Sequence, residues 1–444
     1  MDFLTFKNAV FQAAEAKGLT EYEVYYQGCS ATVASAYKQE INDFSAATDG
    51  GLCFRCIYGG KMGYASTEAL EDAEGLVDRA VDNASILEAE EQVFLAEGGQ
   101  NYRKWAGKNY KLPTTARLLE LIMETQKALY GEGAVDGTTV RGVSEENVIE
   151  IYNSKGLEVR TKVDICALIL NAVVEGGGEK ASEYKIQLGD PADMDIGALA
   201  QDVVAKAREK LGGKVPGTGA MPVVFSPKAM ADLLSVYSDI FFAARVQKGL
   251  SKLVGAEGTV IAAPCVTLVD DPFHPQSPIP MSFDGEGSPT KRKNVIEQGV
   301  LKTLLYNLKT ANVAGKETTG NASKGHYDAP VGTRAYSMYI CGGDLSEEQL
   351  FEMAEDGVYV TQLSGLHAGA NAVTGDFSLQ SAGFLIEKGQ KTDFVKGFTV
   401  AGNFYQLLKD IRAVADNSCL PQAIGMTAYG APSTLVDGLT IAGK

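Results

Sequence analysis

Histidine is scarce in this 444-residue chain: His274, His326 and His367 stand far apart. That spacing excludes a zinc site built on two imidazoles of one helix. Basic charge is also short, with 40 Lys and Arg against 56 Asp and Glu and a net charge of -16. A phosphate backbone would be repelled, and the one basic run, Lys291-Arg292-Lys293, is too short to reverse this, so nucleic-acid binding is excluded. No apolar run approaches bilayer length, and the opening MDFLTFKNAV lacks the basic start and apolar core of a secretory signal. No membrane association and a cytoplasmic location are expected. The seven cysteines are odd in number and widely spread, which reads as reduced thiols and not a disulfide framework. Cys53 and Cys56 form a CxxC inside the strand-like GGLCFRCIYGG, with no second CxxC to complete a zinc site, so they read as strand packing. A GxSxG elbow and a GxxxxGK[ST] loop are both missing, which removes the common serine-hydrolase and phosphate-binding signatures.

What the chain does contain is a repeated pattern. Phe3, Phe6, Val10 and Ala13 stripe a first helix that ends near Gly18. Strand-like segments follow (EVYYQGCS, ATVASAYKQ, GGLCFRCIYG, KMGYAS), and a helix striped by Leu70, Ala73, Val77 and Ala80 closes the unit. A helix with Leu118, Ile122 and Leu129, further strands turning at Asn153-Ser154-Lys155-Gly156, and a helix with Ile196, Leu199, Val203 and Ala207 repeat the order. Helix, antiparallel strands and helix, twice over, predict an internal duplication. The length calls for two domains, and the Gly and Pro cluster at 212–222 puts the boundary near 217. The expected fold is α+β, with a duplicated α+β domain over 1–217 and a β-rich domain over 218–444, its mostly antiparallel strands forming a curved sheet or partial barrel.

The second half opens with a short strand at Val223 to Phe225 and a helix with clear punctuation. Ser226 caps it, Pro227 suits its first turn, and Met230, Leu233, Leu234, Tyr237 and Phe241 form its apolar stripe, leaving Ser235 and Asp239 on the other face. A further helix is expected over roughly Asn403 to Val414, and FLIEKGQKTDFVKGFTV reads as a hairpin turning at Lys388-Gly389. GEGSP and the Gly176 to Gly178 triplet read as turns, and Asp270-Asp271 as solvated loop carboxylates. His367, between Gly365 and Gly369 with Asn371 and Asp376 close by, admits two readings. These residues line a peptide cleft, or the glycines bend the backbone while His367 and Asn371 satisfy local backbone groups.

Several segments in the same order carry a family resemblance: FDGEGSPTKRKNVIEQGVLKTLLYNLKTA at 283–311, TTGNAS at 318–323, GLHAGANAVTGDFS at 365–378, and GFLIEKGQ with VKGFTVAGN at 383–403. On these the chain resembles the PmbA/TldE-type members of the TldD/PmbA family, which also bears the older label of modulator of DNA gyrase. The resemblance implies a metallopeptidase setting in which the TldD half holds zinc through an HExxxH helix and a late cysteine. In this chain the matching helix reads LLSVYSDI, so Ser235 and Ile240 stand where the histidines would be, Val236 replaces the glutamate, and Tyr429 takes the place of the cysteine, or else Cys419 upstream is its counterpart, a lone thiol without imidazoles or a general base. No catalytic residue and no bound metal are expected here, with zinc only in a TldD-like partner. The implied function is that of a metal-free subunit that pairs with the HExxxH-bearing chain and positions unfolded or short peptides, the strands of its second half offering an edge to an extended peptide. The alternative is a homodimeric regulatory binding protein, gyrase-modulator-like, with no protease role.

Overall fold

The computed structural model describes residues 2–88, 93–104, 110–277, 279–420 and 427–444. In the first half, helix α1 (Phe3–Ala16) is followed by strands β1 (Tyr22–Tyr37), β2 (Glu40–Tyr58) and β3 (Lys61–Thr67) and helix α2 (Ala73–Ile86). Helix α3 (Thr115–Gly131), strands β4 (Thr139–Asn153), β5 (Glu158–Gly176) and β6 (Glu179–Leu188) and helix α4 (Ile196–Arg208) repeat that order. Each helix starts on a side-chain cap, Asp2, Asp72, Thr114 and Asp195 accepting from the backbone N–H three residues on. The six strands form one antiparallel sheet in the order β3-β2-β1-β4-β5-β6. The two units therefore meet through their first strands, with Tyr25 opposite Ile151 and Cys29 opposite Asn147. The duplication read from the sequence is present as mirrored strand order about this central pair.

One sequence expectation about the strands is too short. EVYYQGCS and ATVASAYKQ are one continuous strand, because the small residues between them still pair, Gly28 with Gly50 and Ala31 with Ala47. Cys53 and Cys56 lie buried on opposite faces of β2, Cys53 towards the second half of the chain and Cys56 towards α1 and α2, in keeping with strand packing.

The second half begins with β7 (Gly219–Phe225) and α5 (Pro227–Tyr237). Ser226 accepts from the Ala229 N–H at 3.2 Å, and Pro227 occupies the first turn. Met230, Leu233, Leu234, Tyr237 and Phe241 are all buried, as the stripe requires. The α-helix stops earlier than the stripe implies: from Ser238 to Phe241 the chain tightens into a 3-10 turn. The expected helix over Asn403 to Val414 is also shorter, Phe404–Asp410, and its remainder, rich in β-branched and apolar residues, pairs as strand Ile411–Val414 with Thr434–Val436. β7 lies between strands Gly357–Ser364 and Thr434–Ala442; Asp376–Glu387 and Gln390–Asn403 continue the sheet, and Thr399–Ala401 pairs with Thr440–Ala442 to close a five-stranded barrel. Lys388 and Gly389 both adopt positive φ at the expected hairpin turn. The fold is α+β with mostly antiparallel sheets, and among the described residues no helix is long and apolar enough to cross a membrane.

Leu234 is 1% exposed inside the barrel-side core, whereas Ser235 is half-buried and its hydroxyl donates to the carbonyl of Asp232 one turn back. Leu234→Ala is expected to cost about 2–5 kcal/mol and Ser235→Ala close to nothing. Denaturant melts of the two variants check this, and the reverse order would mean that the helix faces the other way.

Candidate functional site

Ser235, Val236, Ile240 and Tyr429, the positions at which the family resemblance puts a metal centre, lie on α5, the 3-10 turn that follows it and the strand beside them. Ser238, at the end of α5, is hydrogen-bonded to the hydroxyl of Tyr429 at 2.8 Å, so strand Ala428–Gly430 runs beside the helix. Ser235 Oγ donates to the Asp232 carbonyl at 2.7 Å, Val236 packs against the core, and Ile240 is 1% exposed. Burial pushes the Tyr429 phenol up, with the Ser238 bond opposing. Two hydroxyls and two aliphatic side chains do not fit zinc, which takes imidazole, thiolate or carboxylate ligands. Among the described residues, no three His, Cys, Asp or Glu side chains gather as a metal-holding group.

The His367 loop lies against the same helix. Tyr237 donates its hydroxyl to the Asp376 carbonyl at 2.9 Å and stacks on Phe404 with ring centroids 4.4 Å apart. Asn371 Oδ1 accepts from the backbone of Val373 and Thr374, and Asp376 accepts from Asn403 Nδ2 at 2.8 Å, a bond that holds its carboxyl below the usual range. Asn371 and Asp376 thus serve local loop structure, and His367 is exposed. The five barrel strands close on one another, which limits where an extended peptide could add to the second half. Among the described residues of the second half, the strands standing at sheet edges are short: Ile411–Val414 beside the barrel, Val300–Leu301 and Ala428–Gly430 in the smaller five-stranded sheet, and Ala322–Ser323 with Gly332–Thr333 in a two-stranded one.

The largest departure from the sequence reading lies between the two halves. Asp270, expected in a solvated loop, is fully buried at the end of strand Leu268–Asp270. It accepts from Lys293 Nζ at 3.0 Å, Asn321 Nδ2 at 2.8 Å and the Tyr336 N–H at 2.7 Å. Lys293 completes the triangle by donating to Asn321 Oδ1 at 2.8 Å. These partners satisfy the charge that a water-exposed loop would have left to solvent. The neighbouring GEGSP segment turns as expected, with Asp284 Oδ1 accepting from Glu286 N and Ser288 N, but Asp284 and Glu286 are both buried, and Glu286 faces the first half. Arg55 of β2 donates to Glu23 at 2.7 Å and lies 3.8 Å from Glu286. Burial raises both carboxyls; Arg55 opposes this at Glu286 and backbone N–H groups oppose it at Asp284. Lys324 is buried beside these groups over the Tyr25 ring, and burial lowers its ammonium while Cys53 pulls the other way.

Next to this ionic cluster is a cavity of about 370 Å³. Its floor is the face of the first sheet, with Ile149, Val163 and Ile165; Ile279, Met281 and Tyr327 from the second half form the roof. Gln27, Asp49, Glu145, Asn147 and His326 supply its polar groups. Tyr327 reaches its seat because Gly51 carries no side chain: a methyl group there would run into the tyrosine ring. Tyr327 then donates to Glu68 at 2.9 Å. None of the cavity residues was singled out as a cavity residue by sequence reasoning. The only local signals were the alternation along β4 and β5 and the family-like segments that flank the roof.

A duplicated six-stranded antiparallel sheet followed by a closed five-stranded barrel with a capped helix at its start defines an α+β architecture of two unlike halves. Family models match three stretches: PmbA/TldA metallopeptidase domain 1 over residues 22–84, the central domain over 109–211, and the C-terminal domain over 218–443. The chain belongs to the PmbA/TldD metallopeptidase family, as a PmbA/TldE-type member. A metalloprotease of Methanothermobacter thermautotrophicus is 27% identical over 411 residues, covering 89% of this chain and 88% of that protein. Metalloprotease PmbA of Escherichia coli O157:H7 is 26% identical over 300 residues, covering 66% and 63%. Among solved structures, TldE from Thermococcus kodakarensis is 25% identical with a TM-score of 0.86, covering 98% of this chain and 99% of that one. A Thermotoga maritima protein solved under the name of a DNA gyrase modulator is 28% identical with a TM-score of 0.89, covering 99% and 100%.

Proposed function

We propose that this chain is the metal-free, TldE-like subunit of a TldD/TldE-type zinc metallopeptidase, working in the cytoplasm with a TldD-like chain that carries HExxxH. Its share is assembly and the positioning of unfolded or short peptides. The observation that carries this reading is the donor set beside α5, where Ser235, Val236, Ile240 and Tyr429 offer no imidazole, thiolate or carboxylate. Hydrolysis needs an activated water and a stabilised oxyanion, and those four side chains supply neither. A homodimer that binds a regulatory target is the second reading, favoured by the gyrase-modulator name of the Thermotoga relative.

Purification of this chain from its native host, followed by identification of bound chains and metals, separates the two. A TldD-like chain is expected to accompany it, with zinc following that chain. The subunit freed of its companion is expected to hold no stoichiometric zinc by elemental analysis. Recovery as a homodimer with no HExxxH relative would favour the regulatory reading, and one tightly held zinc per isolated chain would overturn the metal-free assignment.

A further inference from the structure

We infer that the cavity between the first sheet and the Ile279–Tyr327 roof binds the free N-terminal amine and first apolar side chain of a short peptide. The inference rests on the peptide-handling role proposed above and supplies that role with a site. The floor residues lie in the middle of β4 and β5, where backbone donors and acceptors are already spent on neighbouring strands: Ile149 stands opposite Gln27 and Thr161, and Asn147 opposite Cys29 and Val163. A ligand there must be held through side chains and not by strand addition. At about 370 Å³ the space is near the lower end of ligand pockets, roughly 300–1,000 Å³, which suits one or two residues and not a folded segment.

The polar groups agree in what they ask for. Gln27 also lines the wall, but its Oε1 is shut off from the open space, so the acceptors a ligand meets are the carboxylates of Glu145 and Asp49. Glu145 accepts from Asn147 Nδ2 at 2.5 Å through one oxygen, and Asp49 accepts from the Gly50 N–H at 2.8 Å through one of its own. Among the described residues neither carboxylate has a lysine or arginine partner; Asp49 has only His326, at 3.9 Å. Two carboxylates without a fixed cation beside an apolar floor call for a cationic N–H donor attached directly to an apolar group. The α-ammonium of a peptide with an apolar first residue has that form: the ammonium meets the acceptors while its side chain lies on Ile149, Val163 and Ile165.

The test uses the full chain with two probes, Phe-Leu amide and its N-acetylated counterpart, measured by calorimetry. Acetylation removes the charge and two of the donors and is expected to weaken binding at least tenfold. Asp49→Asn and Glu145→Gln are each expected to weaken the free-amine probe several-fold while leaving the acetylated one unchanged. Cys29, half-buried in the cavity wall, gives a readout that needs no variant: the free-amine probe is expected to slow its alkylation and to leave exposed Cys265 unaffected. Equal binding of both probes, binding of neither, or an unchanged Cys29 rate would overturn the inference. Digestion by the mixed subunits is scored separately, so an active mixture with an empty cavity sinks only this site, and a filled cavity without an active mixture sinks only the subunit reading.

Discussion

Incubated alone with a disordered peptide, the chain is expected to leave it intact; mixed with a TldD-like relative, the pair is expected to cut it. The expectation follows from the chemistry at α5. The best nucleophile or ligand there is a serine or tyrosine hydroxyl, and the Tyr429 phenol is partly buried, pushed up in pKa and bonded to Ser238. Neither hydroxyl replaces a metal-activated water. Replacing the relative's HExxxH glutamate should abolish cleavage although this chain is untouched, and His367→Ala here should change the rate only modestly, since His367 is exposed and its loop is held by Asn371, Asp376 and Asn403. Mass spectrometry of the digests decides. Robust cleavage by this chain alone, surviving chelation and missing from an unrelated protein prepared in parallel, would falsify the non-catalytic assignment.

The second large effect concerns the seam between the halves. Arg55→Met is expected to destabilise the protein by about 3–5 kcal/mol, because it leaves Glu23 and Glu286 buried without their shared cation. The double variant Arg55→Met, Glu286→Gln should recover part of the loss, since one of the stranded charges is gone. Denaturant midpoints measure both. A single variant as stable as the parent would mean that the guanidinium is dispensable to the seam.

Helix α5 was legible because its signals are local: a cap, a proline and an apolar stripe all fall within its own residues. The duplicated order of helices and strands was legible for the same reason. What escaped depended on distance along the chain. Asp270 looked solvated beside Pro272 because Lys293 and Asn321, which neutralise and bond it, come much later. Glu286 sits in a turn that reads as surface until Arg55, from the other half, is placed beside it. The cavity is farther still from sequence reading, with walls from four strands and a roof from two loops of the second half. Residues 365–378 drew attention through family likeness; there Asn371 accepts from the loop's own backbone and Asp376 from the Asn403 side chain, a partner that lies beyond the segment.

Barrel closure sets an order of events during synthesis. Strand β7, made soon after the midpoint, needs Thr434–Ala442 as its neighbour, and the same late strand seals the ring against Thr399–Ala401. The six-stranded sheet has all its strands once Leu188 has emerged, whereas β7 must wait with one flank uncovered through more than two hundred residues of translation. A stalled or truncated product lacking Thr434–Ala442 would therefore combine a formed first sheet with an open, sticky barrel, a form that chaperones and proteases would recognise.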